Sequence, residues 1–268
     1  MIAALMYHAV SPVDGRYRRL GLRTGLLHEQ LSALVQAGYQ LVGLTEALKL
    51  QAGGDAAVVA LTFDDAYEDF LQIAVPVLAD LGARATVYVP TAHVGGVAGW
   101  LRENDKLPRI LSYDALAECL DSGCVEIGSH SHTHRALDII PASELAHEVR
   151  GSREQLEDRL GVGISSFCYP HGYHSRGVRN CVAAAGYDNA CEVGRRLREA
   201  RHRLAISRLA IESNEGPECL LVQVSAGGPR LVPTIKRALQ PSWRQVRRAG
   251  TLVGPQRRSQ SPSSSAPT

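Results

Sequence analysis

Apolar runs of strand length alternate along this chain with stretches whose apolar residues recur every three or four positions. Ile2–Tyr7 is a short apolar run suited to a buried strand. Leu27, Leu31, Leu34 and Val35 give residues 26–37 one helical face, closed by Gly38 as a C′ glycine. AVVALTF, residues 57–63, is a continuous apolar strand that runs straight into Asp64-Asp65. A helix over 67–81 follows, with Pro76 expected to kink it and Gly82 to end it. Residues 85–89 read as a strand, Ser112 can cap a helix over 113–120, and the strand 125–127 leads into a histidine cluster. Residues 142–160 form a long amphipathic pattern with Pro141 near its first turn and Gly161 after its last. Residues 164–169, 189–193 and 205–211 read as late strands, with a helix over 178–185 ended by Gly186. Residues 95–111 fit neither period and are expected to form a long loop.

Such alternation predicts the α/β class with a parallel sheet, either a barrel or a doubly wound fold. No glycine-rich phosphate loop follows the first strand, which disfavours dinucleotide binding and favours the barrel. Hydrophobic residues at 45% and charged residues at 21% suit a globular domain. The net charge of +2 hides an asymmetry. Residues 226–268 hold eight Lys/Arg and no Asp or Glu, leaving 21 basic and 27 acidic residues, a charge of −6, in the part before. A catalytic domain over 1–225 is therefore expected, followed by a basic, Pro/Ser-rich, largely disordered tail over 226–268 that holds one short basic helix over 234–249. That tail could touch anionic surfaces; nucleic acid is not an expected partner. The six cysteines show no CxxC spacing and read as reduced thiols. No run reaches the ~20 apolar residues of a membrane span. MIAALMYHAV lacks the basic region of a signal peptide, so the expected location is cytoplasmic.

Three polar features stand where strands end: Asp64-Asp65, His130-Ser131-His132-Thr133-His134, and Cys168-Tyr169-Pro170-His171-Gly172. In parallel barrels the loops at the C-terminal strand ends build the active face. His130 and His134 are four apart and share a face if a helical turn starts after Gly128. With a carboxylate from another strand they make a His₂-carboxylate metal set that leaves positions open for water and substrate. Neighbouring aspartates on an extended backbone project to opposite sides, so one can face the metal while the other addresses water as a general base. His132 would point away. Trp100 could stack on a substrate ring and Tyr169 could line the cleft.

These residues resemble the polysaccharide deacetylases of the NodB-homology type, carbohydrate esterase family 4. Thr62-Phe63-Asp64-Asp65 matches the family's TFDD, residues 130–134 its HSxxH, and Tyr169-Pro170-His171-Gly172 resembles its third motif. Met6-Tyr7-His8-Ala9-Val10 is similar to the MYHxV opening of the branch acting on poly-N-acetylglucosamine and related exopolysaccharides. The resemblance spans residues 1–225. It implies a distorted (β/α)₇ barrel and a hydrolase that removes N-acetyl groups from an N-acetylated sugar. Asp64 would be the base, and Asp65, His130 and His134 would be ligands of a divalent metal, Zn²⁺ first, with Co²⁺, Ni²⁺ or Mn²⁺ as substitutes. The backbone N–H of His171 would help stabilise the oxyanion, and His8, Tyr169, Pro170 and Trp100 would face substrate. The chain departs from the family pattern where many members carry an arginine two residues before the motif-three proline; Cys168 stands there. The fourth motif is not matched, nor is the fifth, whose histidine is the general acid. His8, His171, His174 and His202 remain candidates for that proton. A metal-dependent amidase or esterase on a non-polymeric substrate, or a catalytically weak carbohydrate-binding relative, are the competing readings.

Overall fold

The computed structural model describes residues 3–13, 15–54, 57–101, 107–194 and 202–226, all within the compact unit Met1–Val232. The expected tail helix over 234–249 lies outside the described residues. Among those described, eight strands run parallel: β1 (Ala3–Tyr7), β2 (Gln40–Val42), β3 (Val58–Phe63), β4 (Ala85–Val89), β5 (Val125–Ser129), β6 (Ser166–Cys168), β7 (Asn189–Gly194) and β8 (Ile206–Ala210). Because β1 pairs with both β8 and β3, seven of them close into a (β/α)₇ barrel. The short β2 is not a stave. It pairs with Val58–Ala60 at the start of β3, and β4 takes Thr62 and Phe63 further along the same edge.

Period-two alternation sorts the strand residues into two cores. Leu5, Tyr7, Val59, Leu61, Phe63, Val87, Val89, Ile127, Phe167 and Leu209 belong to the large core under the surrounding helices. Their neighbours Ala4, Ala60, Tyr88, Cys168, Cys191 and Ile206 form a second cluster inside the barrel. Small residues there leave room for large ones. A Cβ on Gly128 would lie 2.5 Å from ring carbons of Tyr88, so that position admits only glycine beside the tyrosine. Tyr88, Ser166 and Asn189 hydrogen-bond in series across this interior.

The helices are α1 (Leu26–Gln36), α2 (Leu44–Ala52), α3 (Val75–Asp80), α4 (Tyr113–Asp121), α5 (Ala142–Ala146), α6 (Ser152–Leu160), α7 (Arg176–Ala184) and α8 (Pro217–Ser225). α2, which the hydrophobic pattern did not reveal, closes the N-terminal end of the barrel. Leu44 and Ala47 join the interior cluster, and the orphan N–H groups of its first turn donate to Thr86 Oγ1 (2.8 Å) and Glu126 (3.3 Å). Two helices depart from the expected regular form. A π turn over Phe70–Ala74 precedes α3 and accommodates Pro76, which lacks the N–H of a regular turn, in place of a sharp kink. Another π turn, His147–Gly151, separates α5 from α6. Within the expected loop over 95–111, the described residues 95–101 and 107–111 form a strap held by bridges Val97↔Arg109 and Tyr67↔Ile110. No described helix is long and apolar enough to cross a membrane.

Candidate active site

β3 delivers the two aspartates, and the backbone then turns sharply. Asp64 N–H still donates to the Tyr7 carbonyl at 2.9 Å, whereas Asp65 and Ala66 are both left-handed, with φ of 73° and 52°. Each such non-glycine residue costs about 1–3 kcal/mol and persists only where surroundings enforce it. The strap supplies the enforcement. Leu111 N–H donates to Ala66 O, Glu68 N–H to Arg109 O, and Tyr67 OH to Asp65 Oδ2 at 2.7 Å. The carboxylates therefore diverge because the backbone enters the left-handed region, not because it stays extended as the sequence suggested.

Asp65 faces the histidines. Its Oδ1 stands 3.1 Å from His134 Nε2 and 3.6 Å from His130 Nε2. His130 Nδ1–H donates to the Cys168 carbonyl at 2.9 Å, which turns the Nε2 lone pair toward Asp65. Asp65 Oδ1 is buried and receives no hydrogen bond. Ligands around a tetrahedral cation at 2.0–2.1 Å lie about 3.3 Å apart, so the spacing and the orphaned oxygen both fit a bound divalent ion. The histidine loop is not helical. Ser131 and His134 have φ of 64° and 59°, and this double left-handed path brings the imidazoles together, with ring centroids 4.9 Å apart. That corrects the expected helical turn after Gly128. His132 does point away, with Nδ1 2.8 Å from Thr91 Oγ1.

Asp64 turns into the barrel and meets Arg208 of β8. The guanidinium is fully buried and donates Nη1 to Oδ1 at 2.6 Å and Nη2 to Oδ2 at 2.7 Å. It also donates to Thr62 Oγ1 at 2.9 Å and to Cys168 Sγ at 3.0 Å, and it packs over the Tyr88 ring. Burial alone would raise the Asp64 pKa; the charge and hydrogen bonds of Arg208 outweigh it and hold the carboxyl below its ordinary range. Burial likewise works against Asp65, and His134 foremost holds it down. Burial pushes His130 from its ordinary 6.5 to about 4. The unfolded chain takes up this proton below pH 6.5, whereas the folded chain does so only near pH 4. The metal-free protein is thus expected to lose stability, on the order of 3 kcal/mol, as the pH falls through that window. Urea titrations across it check this; an unchanged midpoint would contradict it.

Arg208 was not anticipated from the sequence. Its signal was parity: Ile206, Arg208 and Ala210 point one way along β8, and an arginine inside a barrel must find an anion. The arginine absent at Cys168 thus reaches Asp64 from a different strand.

The other candidates separate. His8 directly follows β1, with Nε2 4.0 Å from Asp64 Oδ2, and it retains some exposure. The exposed His171 places its ring 4.8 Å from that of His134, in a turn closed by Gly172 N–H to Tyr169 O. Trp100 is half-buried and stacked on the His134 ring, centroids 4.1 Å apart and planes within 22°, so one of its faces is occupied by this side chain. Tyr169 does not line the cleft: it is fully buried in the outer core and its OH donates to Leu204 O at 2.9 Å. Pro170 is buried too and forms a wall of the same turn. His174 leaves the list of acids, since Nε2 meets Glu192 at 2.5 Å and Nδ1 accepts from Arg179. His202 leaves it as well, because it caps the turn before β8, at the opposite end of the barrel.

A polysaccharide deacetylase family profile matches residues 51–190, which contain TFDD, the histidine cluster and the YPHG turn but not Arg208. A provisionally named polysaccharide deacetylase of Bacillus subtilis (strain 168), YxkH, is 25% identical over 212 residues, covering 76% of this chain and 70% of that protein. The Streptococcus pyogenes deacetylase PplD, solved in complex with acetate, superposes with a TM-score of 0.73 at 23% identity over 83% of this chain and 97% of that one. IcaB from Ammonifex degensii gives 0.70 at 22% identity over 82% and 95%. These two share the barrel. The profile spans more than half of the sequence and encloses the paired aspartates and both facing histidines, so the chain belongs to the polysaccharide deacetylase family.

Proposed function

We propose that the chain hydrolyses the N-acetyl group of an N-acetylated sugar, with Asp65, His130 and His134 holding a divalent cation, Zn²⁺ first, and Asp64 as general base. The observation that carries this reading is the divergence of two adjacent buried carboxylates, one facing the Nε2 atoms of two imidazoles and the other locked by Arg208. A cation held there would polarise the acetyl carbonyl and acidify water. Asp64 keeps lone pairs beyond the two that Arg208 occupies, and its ionised state at neutral pH leaves it able to take the proton of the attacking water. The backbone N–H of His171 serves the developing oxyanion. As the C–N bond breaks, a proton must reach the leaving nitrogen, and His8 is the candidate beside Asp64 that retains solvent access. Acetate and a free amine result.

The test is acetate release from N-acetylglucosamine oligomers by metal-loaded protein, with and without chelator. Release that stops with chelator and returns with Zn²⁺ is expected. Release indifferent to chelator would overturn the metal-centred mechanism. Cation binding without acetate release would instead identify a binding relative or an enzyme for another amide or ester.

A further inference from the structure

The two histidines that face Asp65 are supported differently. His130 has the Cys168 carbonyl behind its Nδ1, the arrangement that ordinarily fixes a metal-binding imidazole. His134 Nδ1 is buried and has no hydrogen-bond partner. Apart from the contact of its Nε2 with Asp65, the ring is steadied by packing, chiefly against Trp100. Where a side chain lacks such a tether, its position depends on the backbone beneath it. That backbone is the loop running from Ser131 to His134, left-handed at both ends, a path that non-glycine residues do not hold unaided.

We propose that Glu148 is the positioning residue that holds this loop and thereby sets His134 for the cation. Glu148 lies on the π turn between α5 and α6 and is only 3% exposed. Its Oε2 accepts from the backbone N–H of His132 at 3.1 Å and of Thr133 at 2.9 Å, and Oε1 accepts from Thr133 Oγ1. One carboxylate thus gathers three donors from the two residues between the left-handed positions. The clamp is itself anchored: Ser152 Oγ at the start of α6 meets Ser129 Oγ on β5 at 2.8 Å, and Tyr187 OH donates to Val149 O at 3.0 Å. A widened helical turn at this point matches the common placement of π turns beside functional sites. Glu148 touches neither the cation nor substrate. It acts through the loop.

The inference rests on the cation site proposed above, so its test reads cation affinity directly. Apo protein and variants are titrated with Zn²⁺ against a chromophoric chelator, alongside circular dichroism and acetate release. Glu148→Ala is expected to weaken Zn²⁺ binding by about 10–100-fold, the usual cost of losing an outer-shell support. Its lost activity should return when Zn²⁺ is raised to saturation, with KM for the sugar unchanged. Glu148→Gln can still accept from both N–H groups and donate to Thr133 Oγ1, so it should recover most of the affinity. Thr133→Val removes one hydrogen bond and should weaken binding by about 2–10-fold, which carries the test if Glu148→Ala does not fold. Wild-type affinity in the folded Ala or Val variants, or a Gln variant as weak as the Ala one, overturns the clamp alone. A wild-type protein that binds no Zn²⁺ overturns both the clamp and the proposed function. Variant-dependent Zn²⁺ affinity without acetate release supports the clamp and overturns only the substrate assignment.

Discussion

Replacing Asp64 by Asn is expected to lower kcat for acetate release by about 10²–10⁴-fold while the protein keeps its Zn²⁺. The amide has the shape of the carboxylate but cannot take a proton from water. Asp65, His130 and His134 are untouched, and Asp65 Oδ1 still faces both imidazoles. Metal content, read by elemental analysis of the purified variant, should therefore match wild type. The substitution also leaves the buried Arg208 facing an amide N–H₂ at one of its two former acceptors, so some loss of stability accompanies the loss of rate. Rates must then be compared well below the variant's melting temperature. Turnover within tenfold of wild type, with metal in place, would remove Asp64 from the role of base.

How much of this was legible before the fold was known follows from what each residue signals. AVVALTF ending in two aspartates shows itself because a short, β-branched apolar run suits a buried strand whose polar end is a strand-end loop, and VEIGS leads into a histidine cluster in the same strand–helix alternation. The barrel, and the convergence of Asp65, His130 and His134, were readable on that basis. The paths that join them were not. Asp65, Ala66, Ser131 and His134 all take positive φ without being glycine, a conformation too uncommon for such residues to be read from local propensity; the strap and Glu148, distant in sequence, enforce them. The short β2, with three residues, is too brief to display a period, and so it and the plug α2 escaped notice. Tyr169 was misplaced for a related reason. Its motif lies at the active face, but parity sends its side chain outward into the helix-covered core, away from the neighbouring Cys168.

Arg208 tests the same parity argument with the largest effect on stability. Arg208→Met keeps the length of the side chain and removes the guanidinium charge paired with Asp64, leaving a carboxylate 3% exposed beside a thiol. Breaking a buried pair on one side typically costs about 3–5 kcal/mol, and that loss is expected in urea titrations at neutral pH. The dependence on pH should reverse in sign. In the wild type the Asp64 pKa is depressed, so its stabilisation is present above the ordinary carboxyl value of 3.8 and is lost as the pH falls through the folded value. Without Arg208, burial is unopposed and the folded pKa rises above the unfolded one. The variant should then be most stable, relative to wild type, in acid, and should lose ground as the pH rises toward neutrality. The acid limb of its pH–rate profile should move upward for the same reason, since the base must be ionised to act. Adding Asp64→Leu to the Met variant should restore much of the stability by removing the stranded charge, with no recovery of activity. An Arg208→Met protein as stable as wild type, with an unmoved acid limb, would mean that the guanidinium is a spectator and that something else keeps the base ionised.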